Sequence, residues 1–213
     1  PTIPAVSSQG ASLFLSRTPQ EIRDLIYNHV FATTNNCFGK GSFDEIESSS
    51  LSPNALALLR ICRQINQEIR KSWIRQVCFF FRGVDTMHLK LAHVPESLVS
   101  QIRYMCVREK QVAPFLRASS PSICDALAAI PALRLDLLFV LGFFNEIADL
   151  DNLNPLINES DGWRELRYLT HGANYMFQHG PPFQHVVPPP AIWQETLMRR
   201  DEPGSESSVV LYR

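Results

Sequence analysis

Catalysis or metal binding needs nucleophiles, bases or ligands at short fixed spacings, so the histidines and cysteines are read first. His171, His179 and His185 fall within fifteen residues, and His88 and His93 are five apart. A zinc site favours tight His or Cys pairs completed by carboxylates or further histidines. His179 and His185 flank Gly180-Pro181-Pro182 and cannot share a helix face. They are expected as surface or capping side chains, with no metal. Cys37, Cys62, Cys78, Cys106 and Cys124 are scattered without a CxxC pair. An odd number at wide spacing predicts five free thiols and a reducing compartment, intracellular and either cytoplasmic or nuclear. No Gly-x-Ser-x-Gly turn and no Cys in a Gly-rich setting supplies an activated nucleophile. Gly39-Lys40-Gly41-Ser42 resembles a phosphate loop, but no strong strand precedes it and Asp44, Glu45 and Glu47 would repel phosphate. It is read as a turn. The chain is therefore expected to be non-enzymatic and to need no cofactor; an enzyme with a site assembled from distant residues is a further alternative.

Charge is distributed more tellingly than it is summed. The 213 residues carry a net charge of −1, 45% apolar residues, 19% charged residues and a mean hydropathy of −0.07. That is globular composition without an overall field. Between Arg60 and Arg117, however, eleven Lys and Arg face four Asp and Glu, whereas Leu135 to Trp163 holds six acids and no base. Arg60, Arg63, Arg70, Lys71 and Arg75 could form a basic helix face for nucleic acid. Without aromatics between them, the preferred reading is a solvated face, and nucleic acid is the alternative. The longest apolar run, Leu137 to Phe144, has eight residues, against the roughly 20 a bilayer requires. No membrane association is expected, and the N-terminus has neither the basic nor the apolar region of a leader.

The elements that must position these residues begin after a tail, residues 1–13. Thr18-Pro19-Gln20-Glu21 is a helix start, and Ile22, Leu25, Ile26 and Val30 continue at helical spacing over 19–31. An Asn-, Gly- and Ser-rich stretch follows from Ala32 to Ser52, with short strands at Phe38 and Phe43 to Ile46. From Ser52-Pro53, the residues Ala55, Leu58, Cys62, Ile65, Ile69 and Trp73 line one stripe of a single helix of about six turns. Ile26 and Ile65 are expected to be buried where these two helices pack. Val77 to Phe81 reads as a buried strand closing a head, residues 14–82.

Residues 83–213 show a repeat. Ile102-Arg103-Tyr104-Met105, Leu133-Arg134-Leu135-Asp136 and Leu166-Arg167-Tyr168-Leu169 share an apolar-Arg-apolar pattern, with starts 31 and 33 residues apart. A short helix around Ser97 to Ser100 and a better one over Pro121 to Ile130, capped by Ser120, precede the first two. A Pro-rich segment, 180–190, leads to a helix over Ala191 to Arg199 and a strand over Val209 to Tyr212. This predicts an α/β (α+β) fold, a helical head followed by irregular leucine-rich-repeat-like α/β units with a mostly parallel sheet. Aligned on the pattern, Ile102, Tyr104 and Cys106 should share a face with Leu133, Leu135, Leu137, Leu166 and Tyr168. Arg103, Arg134 and Arg167 should stack on the other, with Asp136 and Glu165 nearby, as a binding ladder.

Pro19, Glu21, Ile22, Arg23, Ile26 and Tyr27, then Leu58, Leu59, Cys62, Arg63, Gln64, Ile65 and Glu68, and finally Phe79 to Phe81 form two ordered motifs and a strand. Together they resemble a group of fungal proteins described as F-box-like, with Thr18 where that family carries Leu. Trp163-Arg164-Glu165-Leu166 is similar to a later step in the same family. The resemblance implies a non-enzymatic protein–protein interaction module, as a substrate adaptor of a cullin-type ubiquitin ligase. Its partner would be another protein, with a ubiquitin-ligase adaptor subunit at the head. Gln20, Arg23, Asp24 and Tyr27 would then be the exposed contacts of the first helix.

Overall fold

The computed structural model of the chain describes residues 12–32, 35–38, 55–70, 72–109, 122–142, 148–169, 186–200 and 207–212. The elements are α1 (Leu13–Arg17), α2 (Gln20–Ala32), β1 (Asn35–Phe38), α3 (Leu58–Ile61), α4 (Arg63–Ile69), β2 (Cys78–Phe81), α5 (Val84–Leu91) and α6 (Glu96–Val99). They continue with β3 (Tyr104–Arg108), α7 (Ile123–Ala128), β4 (Leu135–Leu141), α8 (Ala148–Glu159), β5 (Trp163–Leu169), β6 (Val186–Val187), α9 (Ala191–Arg200) and β7 (Ser208–Tyr212).

Among the described residues seven strands form one sheet in the order β1-β2-β3-β4-β5-β7-β6, parallel throughout except where β6 meets β7. The fold is therefore α/β with a mainly parallel sheet. Each new parallel strand lies beside its predecessor. Crossovers of one hand then place successive helices on one side of the sheet. The helices agree: α5 packs on α7, α7 on α8, and α8 on α9. One core runs from Tyr27 of α2 to Leu211 of β7. The strand that closes the head, β2, is thus part of the same sheet as the units behind it.

Register shows what this layer buries. Phe79, Met105, Leu138, Leu166 and Val209 are level across five strands, as are Phe81, Val107, Val140, Tyr168 and Leu211, and all ten are buried. Against them pack Met87 and Leu91 of α5, Ile123, Ala126 and Leu127 of α7, Leu153, Leu156 and Ile157 of α8, and Trp193 and Leu197 of α9. Each such aliphatic side chain contributes roughly 1.5–3 kcal/mol on leaving water. Gly142 continues β4 on this side. A Cβ there would overlap the Tyr168 ring and hydroxyl, so glycine lets the phenol reach Glu109 at 3.3 Å.

Several expectations are corrected. The six-turn second helix is broken: Cys62 is extended (φ −155, ψ 159) between α3 and α4, and Arg70 ends α4 at φ 46. The Cys62 sulfur caps α4 by accepting from the Ile65 amide at 3.4 Å, and Asn66 Nδ2 donates back to the Leu59 carbonyl at 2.8 Å. At Cys62 a local side-chain bond has replaced the helical one, whereas at Arg70 the amide still donates to the Asn66 carbonyl at 2.8 Å and the positive φ ends the helix. Ser122, not Ser120, caps α7, in a capping box with Asp125. Ile65 is buried but Ile26 is 42% exposed. α1, α5 and α8 were not expected; α8 holds Pro155 and several Asn, which mask the spacing of Leu153, Leu156 and Ile157. The strand expected over Phe43 to Ile46 lies outside the described residues.

Candidate interaction surface

The strand positions between the buried rows face away from the helix layer. Cys78, Tyr104, Leu137, Glu165 and Ser208 are level with one another, and Phe80, Cys106, Phe139, Arg167 and Val210 form the next row. Arg108, Leu141, Leu169 and Tyr212 make a third. Only Leu141 and Leu169 of these are fully buried, and Ser208 is exposed; the others are half-buried. The result is a sheet face of aromatic and aliphatic side chains with arginines laid among them. Arg167 lies over the Phe139 ring at 5.4 Å and Arg108 over the Phe80 ring at 6.0 Å. Such stacking keeps a guanidinium in place on an apolar surface.

The expected ladder of Arg103, Arg134 and Arg167 does not form. Arg167 is level with Phe139 and Cys106, whereas the Arg103 carbonyl accepts from the Asp136 and Leu137 amides, before β3 begins. Leu166 and Tyr168 accordingly share the face of Met105 and Val107, not that of Tyr104 and Cys106. Register follows burial: only this alignment sets Met105, Leu138 and Leu166 together under the helices. The arginines nonetheless find the expected acids. Arg103 lies 3.9 Å from Asp136 and donates to the Arg134 carbonyl at 3.1 Å, Arg167 lies 2.6 Å from Glu165, and Arg134 lies 3.6 Å from Asp161. The first two acids were legible; the aromatics Phe80, Tyr104 and Phe139 were missed as a surface. Their signal was present in unbroken apolar strands, which read as buried on both faces.

In the head, the contact residues expected on the first helix divide. Gln20 and Asp24 are exposed and bonded to each other at 2.8 Å, whereas Arg23 and Tyr27 are buried. Arg23 Nε and Nη2 donate to the Glu68 carboxylate at 3.0 and 2.7 Å, Tyr27 Oη donates to it at 2.9 Å, and Gln64 Nε2 at 3.0 Å. Hydrogen bonding from Arg23 lowers the Glu68 pKa below its ordinary value, against the opposing effect of burial. Burial, reinforced by the Glu68 charge, pushes the Tyr27 phenol up to about 12. These residues fasten α2 to α4 and are not available to a partner. The outer side of α2 instead exposes Ile22, Leu25 and Ile26, with Leu13 and Ile61 also exposed on α1 and α3.

The basic residues proposed for nucleic acid do not share one helix. Arg60 lies on α3, Arg63 on α4, Arg70 at the positive-φ end of α4 and Arg75 in a following 3₁₀ turn, and all four are exposed; Lys71 lies outside the described residues. Cys62, Cys78, Cys106 and Cys124 are reduced thiols, and the side chain of Cys37 is outside the described set. His171, His179 and His185 also fall outside it. Among the described residues no His, Cys, Asp and Glu side chains gather as a metal site, and no helix is long and apolar enough to cross a membrane. Comparison with protein-family models, curated proteins and solved structures finds no match.

Proposed function

We propose that this chain is a non-enzymatic protein–protein interaction module that binds its partner on the sheet face left without a helix among the described residues. The observation carrying this reading is the pair of rows around Phe80, Tyr104, Cys106, Leu137 and Phe139, apolar and half-buried on a sheet whose other face is fully packed. A contiguous apolar surface of this kind marks a site of association. The strand units read as leucine-rich-repeat-like. Ile102, Met105 and Val107, then Leu135, Leu138 and Val140, then Trp163, Leu166 and Tyr168 repeat one apolar-x-x-apolar-x-apolar spacing, all buried. Repeats of this type present their sheet as the recognition surface.

The exposed Ile22, Leu25 and Ile26 of α2 support the second half of the proposal, a head that docks on a ubiquitin-ligase adaptor subunit while the sheet holds a target. Affinity capture from a fungal lysate tests both halves. Phe80→Ser with Phe139→Ser should remove the target and retain ligase components, and Ile22→Glu with Ile26→Asp should do the reverse. Capture that never includes a ligase component, under conditions that retain other partners, would refute the adaptor role.

A further inference from the structure

Arg167 is held more firmly than a surface arginine usually is. It stands in the second row of the proposed binding face, between Phe139 of β4 and Val210 of β7. Its guanidinium is fixed on one face by the Phe139 ring at 5.4 Å and at Nε by Glu165 Oε1 at 2.6 Å. The side chain is 35% exposed. Among the described residues Glu165 is its only hydrogen-bonding partner, and it engages Nε. The Nη1–Nη2 edge is thus a rigid two-donor fork set into an apolar surface of Phe80, Cys106, Phe139, Tyr104 and Leu137.

A planar fork of this kind matches a carboxylate through two parallel hydrogen bonds. Because two contacts already order the side chain, little further ordering opposes binding. Arginine beside aromatic rings at the centre of a contact surface is also where binding energy concentrates. The three rows of this face carry Arg108 and Arg167 against one acid, Glu165, and the exposed strand residues Asp136 and Arg164 outside those rows offset each other, a charge balance complementary to an acidic partner. We infer that Arg167 is the anchor of this face, and that its partner is a protein segment presenting an Asp or Glu carboxylate between apolar side chains. The inference rests on the sheet face being the interaction surface. Single-stranded nucleic acid fits less well, since a phosphate backbone needs basic side chains along its track and the three rows hold two arginines across roughly 19 Å and five strands.

The test is selection of a displayed library of random linear peptides on the immobilised full chain, followed by titration of a selected peptide. Enriched peptides should carry Asp or Glu flanked by apolar residues. Binding should weaken on the order of tenfold or more in Arg167→Gln, weaken also in Arg167→Lys, which lacks the fork, and hold or tighten in Glu165→Gln. The last variant keeps the inference testable if Arg167→Gln fails to fold. Peptides that lose binding with Phe139→Ser but keep it with Arg167→Gln would overturn the anchor and leave the face standing. Peptides indifferent to both substitutions would remove the face itself. A polyuridine oligomer that binds in an Arg167-dependent, steeply salt-sensitive manner would overturn the partner class.

Discussion

Every donor of Arg23 is directed inward. Nε and Nη2 reach Glu68, Nη1 reaches the carbonyls of Leu15 and Thr18, and Nη2 also meets the Gln20 side chain. This fixes how stability should depend on pH. Glu68 has a folded pKa below its ordinary 4.5, held there first by the Arg23 hydrogen bonds. A carboxyl with a depressed folded pKa stabilises the fold above its unfolded value, and that contribution is lost as pH falls through the folded value. Acid titration of the parent should therefore show a loss beginning near the ordinary carboxylate range, which Glu68→Gln flattens. The same variant should bring the late-titrating Tyr27 down from about 12 toward its ordinary 10.0, read by phenolate absorbance, because the Glu68 charge is one of the causes of its rise. An unchanged late tyrosine would mean that burial alone raises it. Ile26 and Ile65 make a second residue-scale contrast. Ile65 is 6% exposed and Ile26 42% exposed. Ile65→Ala should cost about 2–5 kcal/mol in denaturant unfolding, whereas Ile26→Asp should stay within about 0.5 kcal/mol.

At the level of elements, α2 was legible because its spacing, its proline start and its length all agree. The second helix was misread because a stripe on a helical wheel reports which side is buried and not whether the helix is continuous. Leu58, Cys62, Ile65, Ile69 and Trp73 do turn toward the core or its margin. The breaks come from local bonds at Cys62 and from the backbone at Arg70, neither of which alters that stripe. Arg70 is the one non-glycine residue with positive φ among those described, at φ 46 and ψ −120. Side chains with a Cβ are strained there, and glycine is not. Arg70→Gly should therefore leave the melting temperature unchanged or raise it. In an unbroken helix the same change would cost roughly 1 kcal/mol, or about 2–4 °C for a chain of this size. A fall of that size would restore the continuous helix and its basic face.

Across the whole molecule, the mostly parallel sheet and the helices α6, α7 and α9 could be read from the chain, but α5, α8 and the exact pairing could not. Three short Arg-containing motifs suggested one register; the fold adopts another because burial of Met105, Leu138 and Leu166 outweighs similarity around an arginine. The aromatics Phe80, Tyr104 and Phe139 were hidden for a related reason, since an apolar run does not say which of its faces the helix layer covers. The sequential strand order has a consequence for how the protein opens. From β1 to β4 each strand pairs only with the strands next to it in the chain, β5 pairs with β4 and β7, and each helix packs chiefly on its neighbours. Stability in such an array approaches a sum of unit and nearest-neighbour contributions, so damage should spread over adjacent units before it reaches distant ones. Leu138 is fully buried on the central strand β4, and Val209 is 8% exposed on β7, next to the terminal strand β6. Leu138→Ala, at about 2–5 kcal/mol, should lower hydrogen-exchange protection in β3, β4 and β5 together. Val209→Ala should lower it in β5 and β7 while leaving β2 and β3 at parental values. If instead Val209→Ala reduces protection equally from β2 to β7, the chain opens as one cooperative unit, and the picture of stacked, separable repeats is wrong.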